Sequence, residues 1–130
     1  MQGDAMNFNN ILIGSENAAA LVAYYTKLFG PPQFNEGGYA GWQFGDGFVS
    51  IGPHSEVHGR NAEPGRLLWN MESPDVRGDF ERLKAAGAIV IREPYEMDGA
   101  PGYLISTLAD PDNNYFQLTS PYQMSGDNAG

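Results

Sequence analysis

The sequence predicts an α+β fold built from two similar βαβββ modules, at about residues 7–53 and 66–122. Three observations predict it. A stretch with helical periodicity follows a short strand-like segment twice along the chain, and each such stretch ends at a glycine, Gly30 or Gly87. Three further strand-like segments follow each predicted helix. Repeated units that cannot close a core alone usually pack against each other, so we expect one domain over residues 7–122.

In the first module, alternation predicts a strand over residues 8–13, and Ser15 is the predicted N-cap of the helix that follows. Apolar residues then recur at i, i+3, i+4 and i+7 up to Gly30, which predicts one buried helix face: Leu21, Tyr24, Tyr25 and Leu28. We therefore expect both tyrosines to lie in the core. The remaining strands of this module are predicted at 32–35, 39–44 and 48–52.

The second module repeats this order. Ser73 is the predicted N-cap of its helix, Pro74 the first helical residue, and Phe80 and Leu83 its core positions. The predicted strands are 67–71, 88–93, 103–108 and 115–119. Before the last strand, the run from Asp110 to Asn114 has the proline and the Asp and Asn residues that form tight turns.

Composition excludes several functions. The net charge is −9 with only seven Lys and Arg, so a nucleic-acid partner is not expected. No apolar run is long enough for a membrane span, and there is no cysteine for thiolate chemistry. We expect a cytoplasmic protein without a membrane partner. The polar segment 54–65 is a predicted linker, and the small polar segment 123–130 a predicted flexible tail.

Three segments resemble the glyoxalase/bleomycin-resistance/extradiol-dioxygenase (vicinal oxygen chelate) superfamily: Tyr24–Gly30, Asp79–Gly87 and Ala109–Leu118. The resemblance implies two modules related by pseudo-twofold symmetry, a cup-shaped sheet and helices on its outer face. It also implies a homodimer with pockets between modules. It does not select an activity, because this fold supports isomerases, dioxygenases and metal-free drug-binding proteins.

In that superfamily a metal is held by one residue of the first and one of the last strand of each module. Carried over by position, these residues are Asn10, Ser50, Leu68 and Gln117, with Leu67 as the alternative to Leu68. None of them offers an imidazole or an anion, which divalent transition metals require. We therefore predict no metal and no cofactor.

Strand alternation places these positions on one sheet face, with an apolar face behind it that includes Leu67, Trp69 and Met71. The mixed face has the composition of a small-molecule pocket, although a solvated sheet face would show the same alternation. The predicted ligand-binding residues are Asn10, Ser50, Leu68, Asn70, Gln117, Phe48, Tyr115, Trp42 and Tyr103. Tyr39 and Tyr95 are aromatic residues that could either grip a planar ligand or fill the core.

Two further groups have simpler explanations. His54 and His58 are spaced i, i+4, as in a zinc-binding helix, but the surrounding proline and glycine predict a surface loop. One of them could still reach the pocket as an acid or base. Glu72 and Asp75 precede the second helix, where capping and the helix dipole explain acidic residues.

The sequence thus favours a metal-free protein that binds a small organic molecule, drug-like or planar, in the cup. The alternative is an enzyme of the lyase, isomerase or dioxygenase kind, using either an unforeseen metal site or metal-free acid–base chemistry. A third possibility is an accessory domain without a ligand. No catalytic residue can be named.

Overall fold

The structure, a computed structural model, describes residues 6–121, which form two compact units. The first unit ends at Gly59 and the second begins at Arg60, a division that falls inside the predicted linker. The predicted tail at 123–130 and the last residue of the predicted domain lie outside the described residues.

Unit 1 is a four-stranded mixed sheet with one helix. Its elements are β1 (Ile11–Ser15), α1 (Ala18–Phe29), β2 (Phe34–Glu36), β3 (Tyr39–Phe44) and β4 (Gly47–Pro53). The strand order is β1-β4-β3-β2, with β1 parallel to β4 and the other pairs antiparallel. Helix α1 packs on β1, β3 and β4.

Asn17 is the N-cap of α1, so the prediction of Ser15 was wrong. The Asn17 side chain accepts a hydrogen bond of 3.3 Å from the N–H of Ala20. Ser15 is instead the last residue of β1, paired with Pro53, and its hydroxyl accepts the N–H of Asn17 at 3.0 Å. The serine therefore positions the cap rather than serving as the cap.

Helix α1 buries the predicted stripe through Leu21, Tyr25 and Leu28. Tyr24 is only half-buried, which corrects the expectation that both tyrosines lie in the core; its ring contacts Tyr25 edge-on at 5.4 Å. The helix ends as predicted at Gly30, whose φ of 86° favours glycine.

Unit 2 repeats the architecture. After a 3₁₀ turn (Pro64–Arg66), its elements are β5 (Trp69–Glu72), α2 (Val76–Ala85), β6 (Ile89–Glu96), β7 (Leu104–Ala109) and β8 (Tyr115–Thr119). The strand order β5-β8-β7-β6 corresponds to that of unit 1, again with the first strand parallel to the last. The prediction of an α+β fold with two βαβββ modules is confirmed.

The N-cap of α2 is Asp75, whose side chain accepts the N–H of Gly78 at 3.0 Å. Ser73 and Pro74 therefore lie before the helix, which corrects both predictions. Ser73 accepts the N–H of Asp75 at 3.1 Å, just as Ser15 accepts that of Asn17. Capping thus accounts for Asp75, as expected.

Strand register assigns the residues of each sheet to two faces. In unit 1, Val49 and Ile51 belong to the face that packs on α1; in unit 2, Phe116 and Leu118 belong to the buried face. Leu67, which we expected on that buried face, is 84% exposed because β5 begins only at Trp69. Its position belongs to the connection after the 3₁₀ turn.

The predicted turn before β8 is present. The Asp110 side chain is buried, and its Oδ1 accepts the backbone N–H groups of Asp112 and Asn114 at 2.9 and 3.0 Å. Asn113 adopts a positive φ of 67°. Its side chain donates to the carbonyl of Asn61 at 2.9 Å, so the turn also holds the start of unit 2.

Candidate functional site

Each sheet has a second face, opposite its buried apolar face, which we call the far face. In unit 1 the far face carries Asn10, Leu12, Tyr39, Gly41, Phe48, Ser50 and Gly52. In unit 2 it carries Leu68, Asn70, Arg92, Tyr95, Thr107, Tyr115 and Gln117. Seven of the nine predicted ligand-binding residues lie on these two faces.

On the far face of unit 1, a polar pair lies where β1 begins. The Ser50 hydroxyl donates to Oδ1 of Asn10 at 2.9 Å and lies 3.4 Å from the carbonyl oxygen of Ile11. Asn10 immediately precedes β1 and is exposed, whereas Ser50 is half-buried in β4. The pair therefore presents an amide to solvent from a fixed position on the sheet.

Two aromatic rings lie against strand glycines beside this pair. A Cβ atom at Gly41 would lie 2.4 Å from Cζ of Phe48, and one at Gly52 would lie 2.1 Å from Cδ2 of Tyr39. Each ring therefore occupies the space that a side chain would fill. Gly41 pairs directly with Ser50, so the Phe48 ring lies next to the polar pair. A glycine inside a strand is the sequence signal for such a close approach.

Trp42 does not lie on the far face. It pairs with Val49, is 3% exposed, and its ring lies 6.1 Å from that of Tyr25. Its indole Nε1 donates to the carbonyl of Gly30 at 2.8 Å. The structure thus places this predicted ligand-binding residue in the core of unit 1, where it ties β3 to the end of α1.

On the far face of unit 2, a row of polar side chains crosses the sheet. Cross-strand pairing aligns Arg92 with Thr107, Thr107 with Gln117, and Gln117 with Asn70. Nε2 of Gln117 donates to the Thr107 hydroxyl at 3.0 Å. Thr107 is buried, Gln117 half-buried and Asn70 exposed, so the row runs from the interior of the sheet to its edge strand β5.

Arg92 is a residue that the sequence-based site prediction missed. Its guanidinium carbon lies 3.7 Å from the ring centroid of Tyr95, within cation–π distance. Among the strands of residues 6–121, it is also the only basic residue. A basic residue inside a strand of a chain with net charge −9 was the signal that could have identified it.

The remaining candidates lie nearer the ends of strands. Leu68 immediately precedes β5 and is 38% exposed, and Tyr115 begins β8 and is half-buried. Tyr103 lies in the connection before β7, so strand register assigns it to neither face. Leu68 therefore borders the polar row, whereas Tyr103 is not part of it.

The two histidines lie on an exposed loop, as predicted. His58 Nδ1 is 3.5 Å from a carboxylate oxygen of Glu16, and His54 Nδ1 accepts the N–H of Glu56 at 3.2 Å. The contact of His58 with Glu16 ties the loop to the turn after β1, whereas that of His54 lies within the loop. A concavity of about 490 Å³ beside them is lined by Ser15, Glu16 and Pro53 among others. A second, of about 410 Å³, lies between α1 and β2–β4. Neither is lined by Asn10, Ser50 or Gln117.

The four positions at which the resemblance would place metal ligands are poor donors. Strand pairing gives Ser50 in unit 1 and Gln117 in unit 2 equivalent positions. Asn10 and Leu68 are also equivalent, because each immediately precedes the first strand of its unit. Ser50 and Gln117 already hydrogen-bond to protein groups. Within residues 6–121, no three His, Cys, Asp or Glu side chains come together as a metal-binding group. These residues do not fit the superfamily's metal.

Comparison with known proteins gives consistent results. A family model described as a glyoxalase-like domain matches residues 10–119. Among solved structures, a glyoxalase-related enzyme from Fulvimarina pelagi is similar, with a TM-score of 0.68 and 21% identity over 89% of this chain and 88% of that one. A glyoxalase/bleomycin resistance protein/dioxygenase family enzyme from Burkholderia phytofirmans PsJN has a TM-score of 0.67 and 21% identity, covering 88% and 98% of the two chains.

A glyoxalase/bleomycin resistance protein from Catenulispora acidiphila DSM 44928 has a TM-score of 0.66 and 18% identity, covering 89% of this chain and 97% of that one. At these identities the solved structures show the shared fold. A search of curated proteins found no match. Across the part of the chain that the structure describes, neither helix is long and apolar enough to span a membrane.

Proposed function

The chain belongs to the glyoxalase-like domain family, within the vicinal oxygen chelate superfamily, and from this we propose that it is a metal-free protein that binds a small organic molecule. The observation that carries the proposal is chemical. The four positions of the superfamily's metal ligands hold two amides, a hydroxyl and an aliphatic side chain, and the two far faces offer hydrogen-bonding groups beside aromatic rings.

The donor set argues against a resident metal. A divalent transition metal must recover the free energy of dehydration from its ligands, and thiolate, imidazole and carboxylate groups supply it. Asn10, Ser50 and Gln117 supply neutral oxygen atoms, and Leu68 supplies none. The proposed function therefore includes no metal-dependent lyase, isomerase or dioxygenase step.

The far face of unit 1 favours a planar ligand. Phe48 and Tyr39 lie against the sheet backbone at Gly41 and Gly52, which limits their movement toward the strand. Tyr39 is 39% exposed and Leu12 is 50% exposed, so apolar area remains available to a ligand. The Asn10–Ser50 pair adds an amide that can orient a polar substituent.

The far face of unit 2 favours polar recognition. Gln117 uses one amide N–H on Thr107 and keeps its carbonyl oxygen and second N–H for other partners. Asn70 lies next to it on the edge strand β5. Amides of this kind can donate to and accept from one ligand, which is how small-molecule sites fix orientation.

Two measurements test the proposal. Elemental analysis of the dialysed protein is expected to show no stoichiometric zinc, nickel, iron or manganese, and a chelator is expected to leave the thermal midpoint unchanged. Titration with 2-naphthamide, a planar neutral probe, is expected to shift backbone amide NMR signals of β4 and β8. A stoichiometric metal whose removal destabilises the protein would refute the metal-free proposal. Saturating probe without shifts in either strand would refute the binding proposal.

We also propose that the protein is a cytoplasmic homodimer. The edge strands β1 and β2 of unit 1 carry exposed apolar side chains, Ile11 at 39% and Phe34 at 43%, and such edges are usually covered. Light scattering at tens of micromolar is expected to give twice the mass of 14.1 kDa. A monomer at that concentration would contradict the dimer proposal.

A further inference from the structure

The polar row on the far face of unit 2 contains a cation without a carboxylate partner. The chain has 16 Asp and Glu against seven Lys and Arg, so carboxylates are abundant. Within residues 6–121, two of the seven Lys and Arg side chains form ion pairs, Arg66 with Glu63 and Arg82 with Asp79, and Arg92 is one of the five that form none. Arg92 differs from the other four because it is exposed on a sheet face beside an aromatic ring, where its guanidinium is open to an external anion.

The Tyr95 ring holds the Arg92 guanidinium in place. The guanidinium carbon lies 3.7 Å from the ring centroid, so one face of the charged group is covered by the aromatic ring. The N–H groups of a guanidinium lie in its plane and form a rigid fork. Stacking on the Tyr95 ring covers a face of the guanidinium and leaves the N–H groups at its edge free to donate. This fork matches the two oxygens of a planar carboxylate.

The row supplies further donors along the same face. Arg92, Thr107 and Gln117 occupy aligned positions on three adjacent strands. Arg92 and Gln117 are two strands apart, about 10 Å between backbones, and both side chains are long enough to reach a group between them. Because the Thr107 hydroxyl accepts from Gln117 Nε2, its own proton remains a donor.

We propose that the ligand of this protein carries a carboxylate group, bound by Arg92 together with Gln117, with Thr107 positioning the Gln117 amide. The inference rests on the proposed binding function and specifies the chemical class of its ligand: an organic acid. Asn70, next to Gln117 on β5, lies at the end of the row away from Arg92 and receives the uncharged part of the ligand.

The experiment compares two probes that differ only in charge, 2-naphthoate and 2-naphthamide, by NMR titration of the full chain. The carboxylate is expected to bind about tenfold to a hundredfold more tightly, the range for a charge-assisted hydrogen bond. Arg92→Gln is expected to abolish this preference. Arg77→Gln on the exposed surface of α2 removes the same charge and is expected to retain it. Arg92→Lys, which keeps the charge but loses the fork, is expected to fall between them.

The outcomes separate the two proposals. If both probes bind with equal affinity to the wild-type protein, the carboxylate proposal is overturned while the binding function stands; this comparison needs no variant and does not depend on how Arg92→Gln folds. If Arg92→Gln keeps the preference, or Arg77→Gln loses it equally, Arg92 is not the recognition residue. If neither probe shifts any amide signal, the proposed binding function fails and this inference fails with it.

Discussion

The indole Nε1 of Trp42 donates a hydrogen bond of 2.8 Å to the carbonyl oxygen of Gly30. Gly30 is the residue at which α1 ends, and Trp42 is buried in β3, so this bond fixes the helix end to the middle of the sheet. The same residue was a predicted ligand contact. Its hydrogen bond and its burial against Tyr25 assign it to the stability of unit 1.

Trp42→Phe tests this assignment. Phenylalanine keeps an aromatic ring beside Tyr25 but leaves the Gly30 carbonyl without its donor, which is expected to cost about 1–3 kcal/mol in the free energy of unfolding. Chemical denaturation measures it. Tyr39→Phe removes a polar group from an exposed ring on the same strand and is expected to cost less than about 0.5 kcal/mol. Equal losses in both variants would contradict the role of the hydrogen bond.

Gly41→Ala tests the ring that lies over the strand backbone. The added Cβ would lie 2.4 Å from Cζ of Phe48, so the ring must move away from the sheet. We expect a loss of about 1–3 kcal/mol in unfolding free energy, as for an overpacked site, and weaker binding of 2-naphthamide. Gly47→Ala, where the nearest atom is a backbone oxygen at 3.5 Å, is the control in the neighbouring strand. Unchanged Phe48 ring signals in Gly41→Ala would contradict the close approach.

The turn before β8 separates a backbone effect from a side-chain effect at one residue. Asn113 has a φ of 67°, and its side chain donates to the Asn61 carbonyl. Asn113→Gly relieves the left-handed backbone but loses that hydrogen bond, so we expect a change within about 1 kcal/mol. Asn113→Ala loses the bond and adds strain, so it is expected to cost about 1–2 kcal/mol more. Thermal or denaturant unfolding of both variants measures the difference, and equal stabilities would argue against strain at this position.

Much of the fold was predictable because the residues that end its helices and form its turns act locally in the sequence. Gly30 and Gly87 follow amphipathic stretches, and the run from Asp110 to Asn114 contains the residues that a tight turn requires. The helix starts were not predictable to the residue. Ser15 and Asn17, like Ser73 and Asp75, are both able to cap, and pairing of the first strand decides which one does. Local preference cannot resolve two capable residues two positions apart.

The positions of the candidate site residues on the sheets were predictable only where strand alternation is regular. Ser50 and Gln117 were assigned to the correct face because β4 and β8 alternate without interruption, and Asn10 because it continues the alternation of β1. Trp42 was misassigned because its face depends on the β3–β4 register, which the two-residue connection between Phe44 and Gly47 determines. Arg92 was missed because register shifts on both sides of it interrupt the alternation of β6. The face on which such a residue lies follows from the pairing of neighbouring strands and cannot be read from the sequence of one strand.

Gln117 has two roles that can be tested separately: a hydrogen bond to Thr107 and the proposed contact with the ligand. Its amide donates to the buried Thr107 hydroxyl, and the resemblance to the superfamily places a metal ligand at its position. Gln117→Leu removes both the hydrogen bond and the ligand contact. We expect it to cost about 1–3 kcal/mol of probe binding, and about 1 kcal/mol of unfolding free energy because Thr107 loses a partner. Replacing Thr107 with valine in the Gln117→Leu background should recover most of that stability but none of the binding.

Gln117→Glu completes this prediction. The new carboxylate supplies one charged group at a position where the resemblance places a metal ligand, but Leu68, the other such position of unit 2, supplies no donor. We therefore expect no stoichiometric zinc or manganese after dialysis, by elemental analysis, and no metal-dependent rise in the thermal midpoint. A tightly bound metal in this single variant would show that the donor set is stronger than its chemistry implies. If Gln117→Leu instead fails to fold, Gln117 is primarily structural, and its proposed contact with the ligand is wrong.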